Sequence, residues 1–147
     1  LLTTDTVALG AGQGCYSAYL TPQGRMIADL WVYELGDVML LVVPLTVKDA
    51  VLARLDQFIF SEDVQLGDVT DTFAGTVVVG PGAAGLIAST LGLASGALDG
   101  LPEHGALRVE VHGEPAIVLR VTDTGEPGFE LLVPVAHAER VESALLE

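Results

Sequence analysis

The chain has 147 residues, half of them hydrophobic, with 17 glycines, 7 prolines and a formal net charge of −14. That size and composition suit one globular domain with a substantial core, or two small related halves, and exclude a disordered chain. A single lysine, Lys48, and five arginines form no basic cluster, which excludes nucleic acid as a partner.

The first residues, Leu-Leu-Thr-Thr-Asp-Thr, carry neither a Met nor a basic n-region, so no signal peptide is visible. Residues 14–20 and 24–34 read as two strands joined at Pro22-Gln23-Gly24, with Pro and Gly placed for a turn. Gly36-Asp37 leads into an apolar strand over Val38–Val43. Thr46 is the expected N-cap of a helix reaching Phe58, with Val47, Val51, Leu52, Leu55 and Phe58 on one face. A short strand is expected near Val64–Val69. Phe73–Val79 is rich in β-branched residues and stops at Gly80-Pro81-Gly82, before a small-residue helix over Ala83–Leu91. A Gly-rich loop from Gly92 to Gly105 is the candidate boundary or insertion. Strands at about 106–112, 115–121 and 127–133 follow, and a helix from about Ala136 closes the chain. The abrupt ends lead to the expectation of one domain over 1–147, incomplete at both ends. Strands grouped before helices, without regular βαβ alternation, give the fold class as α+β with mainly antiparallel sheet and helices on one side.

Within the second strand, alternation puts Met26, Ala28, Leu30 and Val32 on one face and Ile27, Asp29, Trp31 and Tyr33 on the other. A carboxylate between Trp and Ile is costly to desolvate and needs a partner or a role. Glu130 is the second acid of interest. It shares a strand face with Leu132, opposite Phe129, Leu131 and Val133, and stands close to a turn. A carboxylate at a sheet end can accept two parallel N–H bonds from an amidine-like edge, as in pterin or guanine rings.

Other motifs read as structural. Gly80-Pro81-Gly82 lacks the spacing and the lysine of a phosphate loop, and Gly10-Ala11-Gly12-Gln13-Gly14 has no strand before it or helix after it. His104, His112 and His137 form no helical ligand pair, and no metal site is expected. Cys15, the single cysteine, rules out an intrachain disulfide and reads as a small buried hydrophobe. Its solitary state suits a reducing compartment, so cytoplasm is the expected location. No run of about 18 apolar residues occurs, so no membrane partner is expected.

Several segments together resemble the folate-binding superfamily of the glycine-cleavage T-protein (aminomethyltransferase) and the YgfZ-type folate-binding proteins. They are Leu2-Thr3-Thr4-Asp5, Gly14–Leu20, Gly24–Tyr33, Gly80-Pro81 and Thr124–Leu131, in family order along essentially the whole chain. The resemblance implies tetrahydrofolate as ligand. It assigns Asp29 to the second acid of the T-protein Asp-Asp pair, a catalytic position beside the folate's reactive nitrogens. Tyr16 and Tyr33 match tyrosines lining that pocket, Trp31 stands between them, and Glu130 matches the acid that engages the pterin. Three positions depart from the T-protein pattern: Ala28 replaces the first acid, Pro44 an Asn, and Asp123 a Tyr. Gly24-Arg25 is closer to the YgfZ-type branch, whose diagnostic Lys-Gly-Cys-Tyr-x-Gly-Gln-Glu motif is expected beyond Glu147. The resemblance therefore implies a YgfZ-type protein acting with iron–sulfur assembly proteins, with an aminomethyltransferase-like enzyme or a ligand-free interaction domain as alternatives.

Overall fold

The computed structural model describes residues 2–59, 63–122 and 125–147. It is α+β and divides into two compact units, Leu1–Asp68 and Val69–Glu147.

In the first unit β1 (Gly14–Leu20), β2 (Met26–Glu34) and β3 (Met39–Val42) form an antiparallel meander in that order. The first hairpin closes where Gly24, at φ +79°, donates its N–H to the Thr21 carbonyl at 2.9 Å, a conformation that a Cβ would strain. Cross-strand pairs set the faces. Cys15, Ser17 and Tyr19 stand opposite Val32, Leu30 and Ala28 on one side, while Tyr16 and Ala18 stand opposite Trp31 and Asp29 on the other. The first side is the core, where Ala28, Leu30 and Val32 pack with Tyr19 and with Val51 of α1 (Lys48–Asp56).

Alternation holds through β2 except at its start. Tyr19 pairs with Ala28 but Leu20 pairs with Met26, a bulge that leaves Ile27 as the extra residue. Past the bulge the sides exchange, so Met26 is 67% exposed and Ile27 packs on the core, the reverse of their expected placement.

The second unit runs β4 (Phe73–Val79), α2 (Ala83–Thr90), β5 (Ala106–Val111), β6 (Glu114–Val121), β7 (Gly128–Pro134) and α3 (Ala138–Leu145). Its antiparallel sheet has the order β4-β7-β6-β5. His112 and Gly113, at φ +53° and +84°, make the two-residue turn between β5 and β6, whose twist suits a tight hairpin. Ala83 and Ile87 of α2 and Val141 of α3 pack into one core with Val118, Phe129, Leu131 and Val133. The Gly92–Gly105 loop is no boundary: Leu98 within it is fully buried in this core, and the division falls at Asp68 and Val69 instead.

Each unit contains a three-stranded meander followed by a short 3-10 turn and a helix. Leu41-Val42-Val43-Pro44-Leu45 is matched by Leu131-Leu132-Val133-Pro134-Val135. Pro44 and Pro134 have φ, ψ of −57°, 133° and −51°, 134°, and each opens a 3-10 turn, Leu45–Val47 or Val135–His137. Proline fixes φ there and sends the chain from sheet to helix at one set angle. Asp49 and Glu139 occupy the first turns of the two helices, where the helix dipole favours an acid. Val51 and Val141 are then the buried residues of the respective helices.

This joint corrects two expectations. Thr46 lies inside the 3-10 turn and caps nothing, because the α-helix begins only at Lys48. The helix ends at Asp56, so Phe58 falls beyond it, 55% exposed, with the Arg54 guanidinium 6.0 Å from its ring. The strand expected at Val64–Val69 does not form. Val64, Leu66 and Val69 are all exposed, and no described strand pairs with them. Without a buried face or a partner, a few apolar residues do not make a strand.

Candidate functional site

The face of β1 and β2 opposite the first unit's core carries Tyr16, Asp29, Trp31 and Tyr33, and β3 extends it through Leu40 and Val42. Tyr16 pairs directly with Trp31, and their rings lie 5.1 Å apart, tilted by 53°. Asp29 pairs with Ala18, whose methyl group occupies little of the space across the strand. Tyr16 reaches diagonally across it, and its hydroxyl donates to Asp29 Oδ2 at 2.8 Å. The hydrogen bond to Asp29 holds the Tyr16 phenol above its ordinary range, with burial and the carboxylate's charge adding in the same direction. The half-buried acid thus has the partner that its surroundings require.

Tyr16 is 48% exposed, whereas Tyr33, at the far end of the face between Gly14 and Leu40, is 1% exposed. The structure therefore joins Tyr16, Asp29 and Trp31 into one cluster and buries Tyr33. Asp29 offers an acceptor to an amine N–H, and the adjacent rings offer an aromatic surface for a flat heterocycle.

Glu130 belongs to the second unit, on β7, where it is half-buried and pairs with Val77 and Leu119. Its neighbours Phe129 and Leu131 point into the core, as alternation predicts. Its carboxylate lies over Gly75 of β4: a Cβ there would come within 3.0 Å of Glu130 Oε1. Asp123 and Thr124, beside the turn before this strand, lie outside the described residues. Among the described residues no group of three or more His, Cys, Asp or Glu is arranged to hold a metal ion, and no helix is long and apolar enough to cross a membrane.

Two contributors were not anticipated. Gly75 stands just before the β-branched run Thr76–Val79 of β4, and an isolated strand glycine signals a close approach. Ser17 is a buried polar residue on the core side of β1. Its Oγ accepts the N–H groups of Thr3 and Thr4 at 3.1 and 3.2 Å. The Thr4 hydroxyl in turn donates to the Tyr16 carbonyl at 3.0 Å. A lone polar residue between Cys15 and Tyr19 was the available signal.

The family model for the GCVT N-terminal domain matches residues 1–147. The chain belongs to this family. The aminomethyltransferase of Streptomyces avermitilis is 34% identical over 151 residues, covering 99% of the chain and 39% of the relative. That of Rubrobacter xylanophilus is 33% identical, covering all of the chain and 39% of the relative. The crystal structure of glycine cleavage system aminomethyltransferase T from Bartonella henselae matches with a TM-score of 0.77 at 25% identity, over 99% of the chain and 38% of that protein. The chain thus spans about two-fifths of the length of the relatives it matches. The similarity to the T-protein superfamily inferred from the sequence segments is shown, as is the α+β fold.

Proposed function

We propose that this GCVT N-terminal domain forms the tetrahydrofolate-binding part of an aminomethyltransferase-like one-carbon transferase. The observation that carries the reading is the Tyr16–Asp29–Trp31 cluster, in a chain whose matched relatives are named aminomethyltransferases. Tetrahydrofolate supplies the nitrogens that accept the one-carbon unit. Asp29 hydrogen-bonds the amine of the carrier-bound group or the folate amine, and the Tyr16 and Trp31 rings flank the ligand. Glu130 accepts the N–H pair of the pterin edge.

This reading replaces the YgfZ-type function expected from the departures in sequence. Ala28 is 5% exposed on the core side of β2, so a carboxylate there would face away from Asp29 and into apolar packing. Its absence takes nothing from Asp29's face. Pro44 forms the strand-to-helix joint that Pro134 repeats, which gives it a structural reason. A YgfZ-type factor working with iron–sulfur assembly proteins stays as the second reading, supported by the Gly24-Arg25 turn.

Isothermal titration with tetrahydrofolate tests the first reading. Binding is expected, and Asp29→Asn should weaken it by about 1–3 kcal/mol, the scale of a hydrogen bond to a charged group. Unchanged affinity in that variant would remove Asp29 from the ligand site.

A further inference from the structure

We infer that Tyr16 is the positioning residue for Asp29: its hydroxyl engages Oδ2 and fixes the carboxylate, leaving Oδ1 as the oxygen offered to the ligand's N–H. This rests on the tetrahydrofolate reading and adds to it a division of labour between the two carboxylate oxygens.

Tyr16 is restrained at every level that could place its hydroxyl. The main chain is set by its pairing with Trp31 on one side and by the Thr4 hydroxyl on its carbonyl on the other. The next residue, Ser17, is gripped by the N–H groups of Thr3 and Thr4, which hold the N-terminal segment along β1. The Trp31 ring at 5.1 Å limits rotation of the phenol, and the 2.8 Å bond to Asp29 fixes its tip. Asp29 has nothing comparable. Its cross-strand neighbour is Ala18, which supplies no side-chain hydrogen bond, and among the described residues Tyr16 is the hydrogen-bond partner of its carboxylate. A carboxylate with a free χ1 and χ2 on an open face samples several rotamers, and one anchored oxygen removes most of that freedom. The raised phenol keeps Tyr16 a donor throughout the neutral range, so the anchor persists there.

The second unit provides an internal contrast. By cross-strand register, the positions of Tyr16, Asp29 and Trp31 correspond to Arg108, Pro115 and Ile117, since Arg108 pairs with Ile117 and Glu110 with Pro115. The same meander without an acid at this position also lacks the tyrosine.

Two measurements on the full protein decide the matter. The first is the ultraviolet titration of the phenols, with Tyr16→Phe identifying the Tyr16 component. Tyr16 is expected to ionise above the ordinary value of 10.0, and Asp29→Asn should bring that ionisation down. The second is a double-mutant cycle on tetrahydrofolate affinity. Tyr16→Phe should weaken binding roughly tenfold beside Asp29, and by less than about twofold in the Asp29→Asn background. Equal weakening in both backgrounds would show that Tyr16 acts on the ligand independently and would overturn its role through Asp29, while leaving the folate reading intact. An unmoved phenol titration would likewise overturn it. If Asp29→Asn alone leaves binding unchanged, Asp29 lies outside the ligand site and the positioning role falls with it; absence of tetrahydrofolate binding by the unmodified protein would instead overturn the folate reading.

Discussion

The two units use one scaffold for different ends. Both run strand, strand, strand, Pro-led turn and helix, and both bury a helix valine against the meander, Val51 in one and Val141 in the other. They differ on the face turned away from their helices. In the first unit that face carries a phenol in contact with both an acid and an indole; in the second the corresponding positions hold Arg108, Pro115 and Ile117. Register also relates Leu40, opposite Tyr33, to Glu130, opposite Leu119, so each unit carries its acid on a different strand. The helix-covered faces repeat between the two units, whereas the other faces differ in their chemistry.

The largest effect expected from this comparison lies in the cores. Leu131 is fully buried, while its counterpart Leu41 is only half-buried. Leu131→Ala should lower unfolding stability by about 2–5 kcal/mol, and Leu41→Ala by clearly less, as read by urea denaturation. Equal losses would break the claim that the second unit packs its meander more completely.

Next in size is Glu130→Gln, which keeps the shape of the side chain but removes the charge that attracts the pterin N–H pair. Tetrahydrofolate affinity should fall by about 1–3 kcal/mol with stability little changed. An unaltered dissociation constant would show that Glu130 does not engage the folate.

Cys15 sharpens the comparison differently, because its position in the second unit is filled by Leu107, an ordinary apolar residue. Burial pushes the Cys15 thiol up, so less of it is thiolate at neutral pH. Its alkylation by iodoacetamide at pH 7.5 should be slower than that of free glutathione, and should accelerate as pH rises past the ordinary thiol range. Faster reaction than glutathione would identify an activated thiol instead.

The smallest effect is expected at Gly75. An added Cβ would stand 3.0 Å from Glu130 Oε1, the movable end of a side chain, so Gly75→Ala should barely affect folding. Displacing that carboxylate by a few tenths of an ångström should weaken folate binding by a few tenths to about 1 kcal/mol. Unchanged binding alongside a large effect of Glu130→Gln would show that the carboxylate can shift without loss.

Much of the architecture was legible because burial imposes periodicity. Phe73–Val79, rich in β-branched residues, forms the strand expected there, and the strand expected at about 106–112 forms over Ala106–Val111. What the pattern could not supply was pairing. Val64–Val69 is expected as a strand but pairs with no strand among the described residues, and the bulge at Ile27 reverses two residues without any mark in composition. The acid at the centre of the site stood out because Asp29 is polar among aromatic neighbours. Its hydrogen bond to Tyr16 did not, since a diagonal contact depends on register. Tyr33 shows the converse: it shares the face of Asp29 by alternation, yet it is buried. Alternation identifies a side of a sheet and says nothing of what covers it.

The central claim is that Asp29 on the open face of the first unit serves aminomethyl transfer to tetrahydrofolate. It is tested most directly by following methylene-tetrahydrofolate formation from an aminomethyl-lipoyl carrier, with the full protein and its Asp29→Asn variant. Robust formation that Asn at this position abolishes is the predicted result. Full activity in the variant, or none in the unmodified protein under conditions where it binds tetrahydrofolate, would contradict it.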